Sequence, residues 1–249
     1  MPKPQEIKED IRDLSAGSRH TFLIDGNGKV SAAGFIESKE SYYGHLGLGQ
    51  VRDCQGDNTQ LCVGQNVFLP VSEVVNAAGE MVTAPPFVLV YAGSGPQSDS
   101  GSMHSLIISE NGKAYVSGNN NKGQLCLGDL GTTSVDMFTE VNGLDNVIDG
   151  AVGAEFTLLL TADGKVYGCG SNDVGQIGQP PQTRSSSGPV LIKELNGITG
   201  LSAGQSFSLF INANEGTVWG SGSNLFIQQC EFTDGNPLLT PKVRDLCTD

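Results

Sequence analysis

A short pattern recurs four times along this 249-residue chain, and its period of about fifty residues restricts the fold more than any other feature. Each copy opens on a small residue and a glycine, at Ser15-Ala16-Gly17, Tyr91-Ala92-Gly93, Ala151-Val152-Gly153 and Ser202-Ala203-Gly204. An apolar run follows in each: Thr21-Phe22-Leu23-Ile24, Ser105-Leu106-Ile107-Ile108, Thr157-Leu158-Leu159-Leu160 and Ser208-Leu209-Phe210-Ile211. These runs are too short for helices and are bounded by turn residues, so they read as buried strands. A turn then centres on Gly28, Gly112, Gly164 and Gly216, preceded by Asn or Asp in three copies, which supplies the positive φ a tight hairpin needs.

The second strand of each hairpin is Lys29-Val30-Ser31, Lys113-Ala114-Tyr115, Lys165-Val166-Tyr167 and Thr217-Val218-Trp219. It runs into a corner at Gly118-Asn119-Asn120, Gly170-Ser171-Asn172 and Gly222-Ser223-Asn224, and the unit closes on a turn. That turn is Gly44-His45-Leu46-Gly47, Gly123-Gln124-Leu125-Cys126, Gly175-Gln176-Ile177-Gly178 and a degraded Ile227-Gln228-Gln229-Cys230. The hairpin glycines are spaced 84, 52 and 52 residues apart, the period of a four-stranded propeller blade. The expectation is an all-β single domain over 1–249, a β-propeller of about four four-stranded blades, with units near 14–69, 90–134, 150–187 and 201–236. The longer first interval places insertions within 50–103, around Cys54 and Cys62 and in 94–102.

The order Ala-Gly-x-x-His-Thr, apolar strand, Asp-Gly-Lys-Val-Tyr, Gly-Ser-Asn and Gly-Gln-Leu-Gly resembles the repeat of the regulator of chromosome condensation family. The kelch repeat has a similar period, but its adjacent glycine pair occurs nowhere here. The repeat histidine is kept at His20 and His104 and becomes Phe156 and Phe207 in the later copies, so the position reads as packing rather than chemistry. The resemblance implies a seven-bladed ring, whereas this chain holds four units, which implies either a short divergent array or a fragment or half of an assembly. Pro-x-x-apolar segments at Pro4 to Ile7, Pro70 to Val74, Pro189 to Leu195 and Pro241 to Leu246, with a weaker copy over Val135 to Val141, read as strands preceding the units. Five such segments for four blades leave a surplus at the C-terminal side, so the arc is expected to be open or completed by another chain, with self-association through terminal strands.

The charge balance gives −13, which repels phosphate backbones and anionic surfaces and argues against nucleic acid or membrane as partner. No run approaches the 18 apolar residues of a membrane span, and residues 1–10 are polar, so a cytoplasmic location is expected, with the nucleus as the alternative. Six cysteines without a C-x-x-C pair point to neither zinc nor a disulfide scaffold; they are expected as reduced thiols packed like small apolar groups. Cys54 and Cys62 are the exception, flanking a polar loop that a disulfide closes if the compartment is oxidising.

No residue set implies catalysis, a cofactor or a metal. Asp25-Gly26-Asn27-Gly28-Lys29 begins like a calcium loop, but the sixth and twelfth positions hold Val30 and Ile36 where an EF-hand needs glycine and glutamate. No helical period follows the Gly168-Cys169-Gly170 or Gly47-Leu48-Gly49 pattern, as a phosphate-binding loop requires. The three histidines, His20, His45 and His104, have no activated partner in the sequence; His45 replaces the Gln of the closing turn. The non-repeating insertions supply the candidate partner-binding residues Arg52, Asp53, Gln55, Asp57, Asn58, Gln60 and Asp99, because loops on a rigid scaffold carry function. The leading expectation is a non-catalytic protein-binding scaffold or assembly component. The alternative implied by the resemblance is guanine-nucleotide exchange on a small GTPase through a loop wedged at the nucleotide site. Chromatin binding, also a family role, is disfavoured by the acidity.

Overall fold

The computed structural model describes residues 10–34, 44–49, 65–93, 103–180, 183, 185–224 and 238–244. All regular structure there is β, in chain order β1 (Ile11–Ala16), β2 (His20–Asp25), β3 (Val30–Gly34), β4 (Gln65–Pro70), β5 (Glu73–Val75), β6 (Met81–Thr83), β7 (Phe87–Ala92), β8 (His104–Ser109), β9 (Ala114–Asn119) and β10 (Ser134–Glu140), followed by β11 (Val147–Val152), β12 (Phe156–Thr161), β13 (Val166–Ser171), β14 (Ser185–Leu191), β15 (Gly200–Ala203), β16 (Phe207–Asn212), β17 (Thr217–Gly222) and β18 (Leu238–Arg244). They form four antiparallel meanders: β1 to β4, β7 to β10, β11 to β14 and β15 to β18. The hairpin β5–β6 joins the outer edge of the second, with β5 parallel to β10, and occupies part of the extra length in the first interval. At the four hairpin turns Gly28, Gly112, Gly164 and Gly216 have φ of 79°, 73°, 75° and 67°, a conformation that side chains resist.

The meanders stack as propeller blades. The first strands β1, β7, β11 and β15 pack on one another in that order, and the sheets meet face to face. Each blade therefore has a leading face toward the blade before it and a trailing face toward the blade after it. Since side chains alternate along a strand, one row of each second strand points each way. Phe22 and Ile24 of the first blade pack with Val90, Ile107 and Tyr115 of the second. Leu106 and Ile108 of the second meet Leu159 of the third, and Phe156, Leu158 and Leu160 of the third meet Phe210 of the fourth. The core is thus three inter-blade layers. Among the described residues, strands of the fourth blade make no extended contact with those of the first, so the four blades form an arc.

Two expectations are corrected. These segments do not precede the blades; β10, β14 and β18 are the fourth strands of their meanders, β10 being covered in turn by β5. Val243 pairs with Trp219 and Lys242 with Gly220, so Pro241 to Leu246 supplies the fourth blade's own edge through β18 and is not a surplus strand. Pro70 ends β4 and Val74 falls in β5, while Pro4 to Ile7 lies outside the described residues. An outer edge tolerates proline because its missing N–H faces no neighbour. The second correction concerns the thiols: Cys126 and Cys169 form a disulfide, with a Cα–Cα distance of 5.4 Å. Both are fully buried, and the bond joins the closing turn of the second blade to β13 of the third. Cys54 and Cys62 lie outside the described residues.

Candidate interaction surfaces at the blade seams

The seams between blades share one polar device. In the second, third and fourth blades the second residue of the His-Thr-type pair sits on the leading face, and its hydroxyl donates to a backbone carbonyl in the closing turn of the blade before it. Ser105 Oγ donates to His45 O at 2.7 Å, Thr157 Oγ1 to Gln124 O at 2.7 Å and Ser208 Oγ to Gln176 O at 2.5 Å. The hydroxyl's one proton is then committed, and it accepts from the histidine on the preceding trailing face. His20 Nε2 lies 2.9 Å from Ser105 Oγ, and His104 Nε2 lies 2.9 Å from Thr157 Oγ1. This logic places the proton on Nε2 in both rings. In the third seam Phe156 replaces the histidine.

The glutamines that end two of the three clasps, Gln124 and Gln176, organise their own turns. Gln124 Oε1 accepts from Lys122 N at 2.9 Å and its Nε2 donates to Asn119 Oδ1 at 2.8 Å; Gln176 does the same with Val174 N and Ser171 Oγ. The corner asparagines hold the loop to the outer strand: Asn120 Nδ2 donates to Asp129 O and Thr132 O, and Asn172 Nδ2 to Gln179 O and Thr183 O. Each turn also reaches the next blade's outer strand, with Gly49 N donating to Asp136 O and Gly128 N to Ser187 O.

All three histidines are buried, and the rings of His20 and His45 are 5.1 Å apart. Burial, then the proximity of His45 and His104, holds the His20 pKa well below the usual imidazole value. A group so buried and neutral is a packing element. Asp25 Oδ1 accepts from Asn27 N and Lys29 N, both at 2.9 Å, which is the geometry of a turn rather than of a cation loop. Tyr91 of β7 donates to Asp149 of β11 at 2.5 Å and ties two inner strands; burial and this bond push its pKa up. Among the described residues no group of three or more metal-ligating side chains occurs.

The candidate residues Arg52, Asp53, Gln55, Asp57, Asn58, Gln60 and Asp99 lie outside the described residues. What sequence reasoning missed is the pair of end faces. On the leading face of the first blade Leu14 is 63% exposed, while Leu23 opposite it is buried. On the trailing face of the fourth, Phe207 and Leu209 are half-buried and Ile211 is 43% exposed, although the equivalent Leu106, Ile108, Leu158 and Leu160 are completely covered. The signal was present in the repeat itself: the fourth strand keeps the apolar row that in earlier copies has a following blade to bury it.

A model of the regulator of chromosome condensation repeat matches residues 163–211, and a second model of that repeat matches 99–124 and 147–176. Residues 99–124 and 147–211 carry regulator of chromosome condensation repeats. These repeats are 35% identical over 134 residues to the RCC2 homolog of Danio rerio, covering 53% of this chain and 27% of that protein. They are 37% identical over 127 residues to the secretion-regulating guanine nucleotide exchange factor of Bos taurus, covering 49% and 27%. The chain therefore spans about a quarter of the length of these curated relatives. Yeast RCC1 (Prp20), solved bound to Kap60, superposes with a TM-score of 0.74 at 19% identity over 98% of this chain and 50% of that one. That superposition establishes the propeller fold for the repeat array.

Proposed function

We propose that this arc of repeats is a non-catalytic protein-binding module. The observation that carries the reading is a rigid stack of propeller blades that exposes the large apolar side chains Leu14 and Ile211. The net charge of −13 favours a protein partner or larger assembly over nucleic acid. The three histidines, the residues best suited to proton transfer, are held inside the blade stack.

A second reading, guanine-nucleotide exchange on a small GTPase, is favoured by the similarity to the bovine exchange factor over 49% of this chain. Release of fluorescent GDP from a panel of small GTPases separates the two. Binding without accelerated release supports the scaffold, and acceleration supports exchange. Loss of partner binding in Leu14→Arg or Ile211→Arg supports the end faces as the binding surface, and full binding by both variants refutes it. For location, the cytoplasm, with the nucleus as the alternative, is the placement proposed; alkylation of both Cys126 and Cys169 in protein taken from its source without reductant supports it, and a linked pair there overturns it.

A further inference from the structure

We propose that Asn142 is a site of self-modification, where attack by the Gly143 backbone nitrogen converts the side-chain amide into aspartate and isoaspartate. The sequence holds four Asn-Gly pairs, Asn27-Gly28, Asn111-Gly112, Asn142-Gly143 and Asn196-Gly197. Glycine hinders such an attack least of all residues that can follow asparagine, because it has no Cβ. By sequence the four pairs are equivalent, and the fold separates them.

The attacking nitrogen must first give up its proton, so a hydrogen bond from that N–H protects the pair. Gly28 N donates to Asp25 O and Gly112 N to Ser109 O, both at 2.9 Å, in the hairpin turns of the first two blades. Gly28 is also buried, and Asn111 Oδ1 accepts from Ser109 Oγ, which holds the amide that would have to swing toward the backbone. Asn196-Gly197 is held by packing instead. Asn212 Nδ2 donates to Asn196 O at 3.4 Å, a Cβ on Gly197 would lie 2.9 Å from that same nitrogen, and a Cβ on Gly164 would lie 3.1 Å from Gly197 N. The pair is thus pinned between the third blade's hairpin and the buried Asn212. Asn142-Gly143 has none of these restraints. Both residues are exposed between β10 and β11, and nothing lies within 4 Å of the place a Gly143 Cβ would take. Among the described residues Gly143 N donates to no acceptor.

In the reaction hydroxide takes the proton from Gly143 N, the nitrogen bonds to Asn142 Cγ, and the Cγ–Nδ2 bond breaks as ammonia leaves. Water then opens the cyclic imide at either carbonyl, giving aspartate at one and isoaspartate at the other. The net change is uptake of water and release of ammonia. The product adds a carboxylate to a stretch whose Glu140 and Asp145 already pair with Lys113, at 3.3 and 2.6 Å.

The test incubates the full chain in mildly alkaline buffer at body temperature and follows all four asparagines by peptide mapping. The readouts are the amide-to-acid mass gain and enzymatic methylation of isoaspartyl carboxylates. Asn142 is expected to convert about tenfold faster than Asn27 or Asn111, the effect of one hydrogen bond on the attacking nitrogen, and to lead Asn196 as well. Conversion should quicken as pH rises and should yield isoaspartate along with aspartate. Asn142→Gln should remove the product at 142 and leave the other three sites unaltered. In denaturant the four pairs should converge on one rate. Equal or faster conversion at any other pair in the folded chain, aspartate without isoaspartate at 142, or a lead for Asn142 that persists in denaturant overturns the proposal. So does an Asn142 that stays intact in the folded chain while the unfolded chain converts.

Discussion

Removing the Cys126–Cys169 bond should be the largest single loss of stability available at the second seam that leaves side-chain packing intact. The two cysteines are 43 residues apart, and the chain-entropy model gives a loop of that size about 4 kcal/mol of stabilisation. The replacement that least disturbs the seam is suggested by the repeat. Cys126 has a φ of 57° and stands where the other turns have Gly47 and Gly178, so Cys126→Gly relieves about 1 kcal/mol of left-handed strain. Cys169 stands where the other blades have Ser117 and Ser221, and Ser221 Oγ donates to Gly175 O at 2.6 Å. The double variant Cys126→Gly with Cys169→Ser should therefore lose about 3 kcal/mol, a fall in Tm of roughly 6 to 12 °C for a chain of this size. The assay is thermal melting of wild type and double variant, each with and without reductant, alongside peptide mapping of the linked pair. Because the chain has four other cysteines, the bond's contribution is the difference between the two reductant effects. Mapping that finds both thiols free in unreduced protein, or reductant effects of equal size, refutes the reasoning.

Three further outcomes follow from the same seams. His20 is neutral in the fold with a depressed pKa, so below about pH 6.5 the unfolded chain binds the extra proton; urea stability should fall by about 1 kcal/mol per pH unit as pH drops from 6.5 toward the folded value. His20→Phe, the residue type found at Phe156 and Phe207, should flatten that slope, and an unchanged slope in urea titrations between pH 7.5 and 5.5 excludes His20 as its source. A Cβ on Gly170, at φ 97°, would lie 2.7 Å from Phe156 Cα and 3.1 Å from Gln124 Cα across the seam, so Gly170→Ala should cost about 2–4 kcal/mol. Gly143→Ala, at φ 78° in open space, should cost only about 1 kcal/mol, and equal losses in urea unfolding contradict the seam argument. Replacing residues 52–62 by a short Gly-Ser linker should leave the melting curve in place and weaken partner capture; undiminished capture removes those residues from the binding surface.

The blade count was readable from glycine, because a tight hairpin demands positive φ at one fixed place and the chain supplies it at Gly28, Gly112, Gly164 and Gly216. The second strands were readable because their apolar runs are buried on both sides in the inner blades, as in Phe156–Thr161. The inner strands were hidden: Ile11-Arg12-Asp13-Leu14 alternates between half-buried and exposed positions and, with Arg12 and Asp13 in its middle, reads as polar. The outer strands were placed on the wrong side of the unit boundary because a Pro-x-x-apolar segment lies between two units in sequence, and only pairing such as Trp219 with Val243 assigns it. The disulfide was missed although its trace existed. Cys126 departs from the glycine seen at Gly47 and Gly178 and Cys169 from the serine seen at Ser117 and Ser221, and two departures that the fold brings together are a pair signal that spacing alone does not give.

The three seams keep one backbone arrangement while their side-chain chemistry changes. A hydroxyl meets a closing-turn carbonyl at His45, Gln124 and Gln176 in turn. Around that fixed point the first seam adds buried histidines, the second a histidine and a disulfide, and the third Phe156 and the Ser221 hydroxyl. Stability is thus tuned seam by seam without moving the blades, as expected where each repeat contacts only its neighbours.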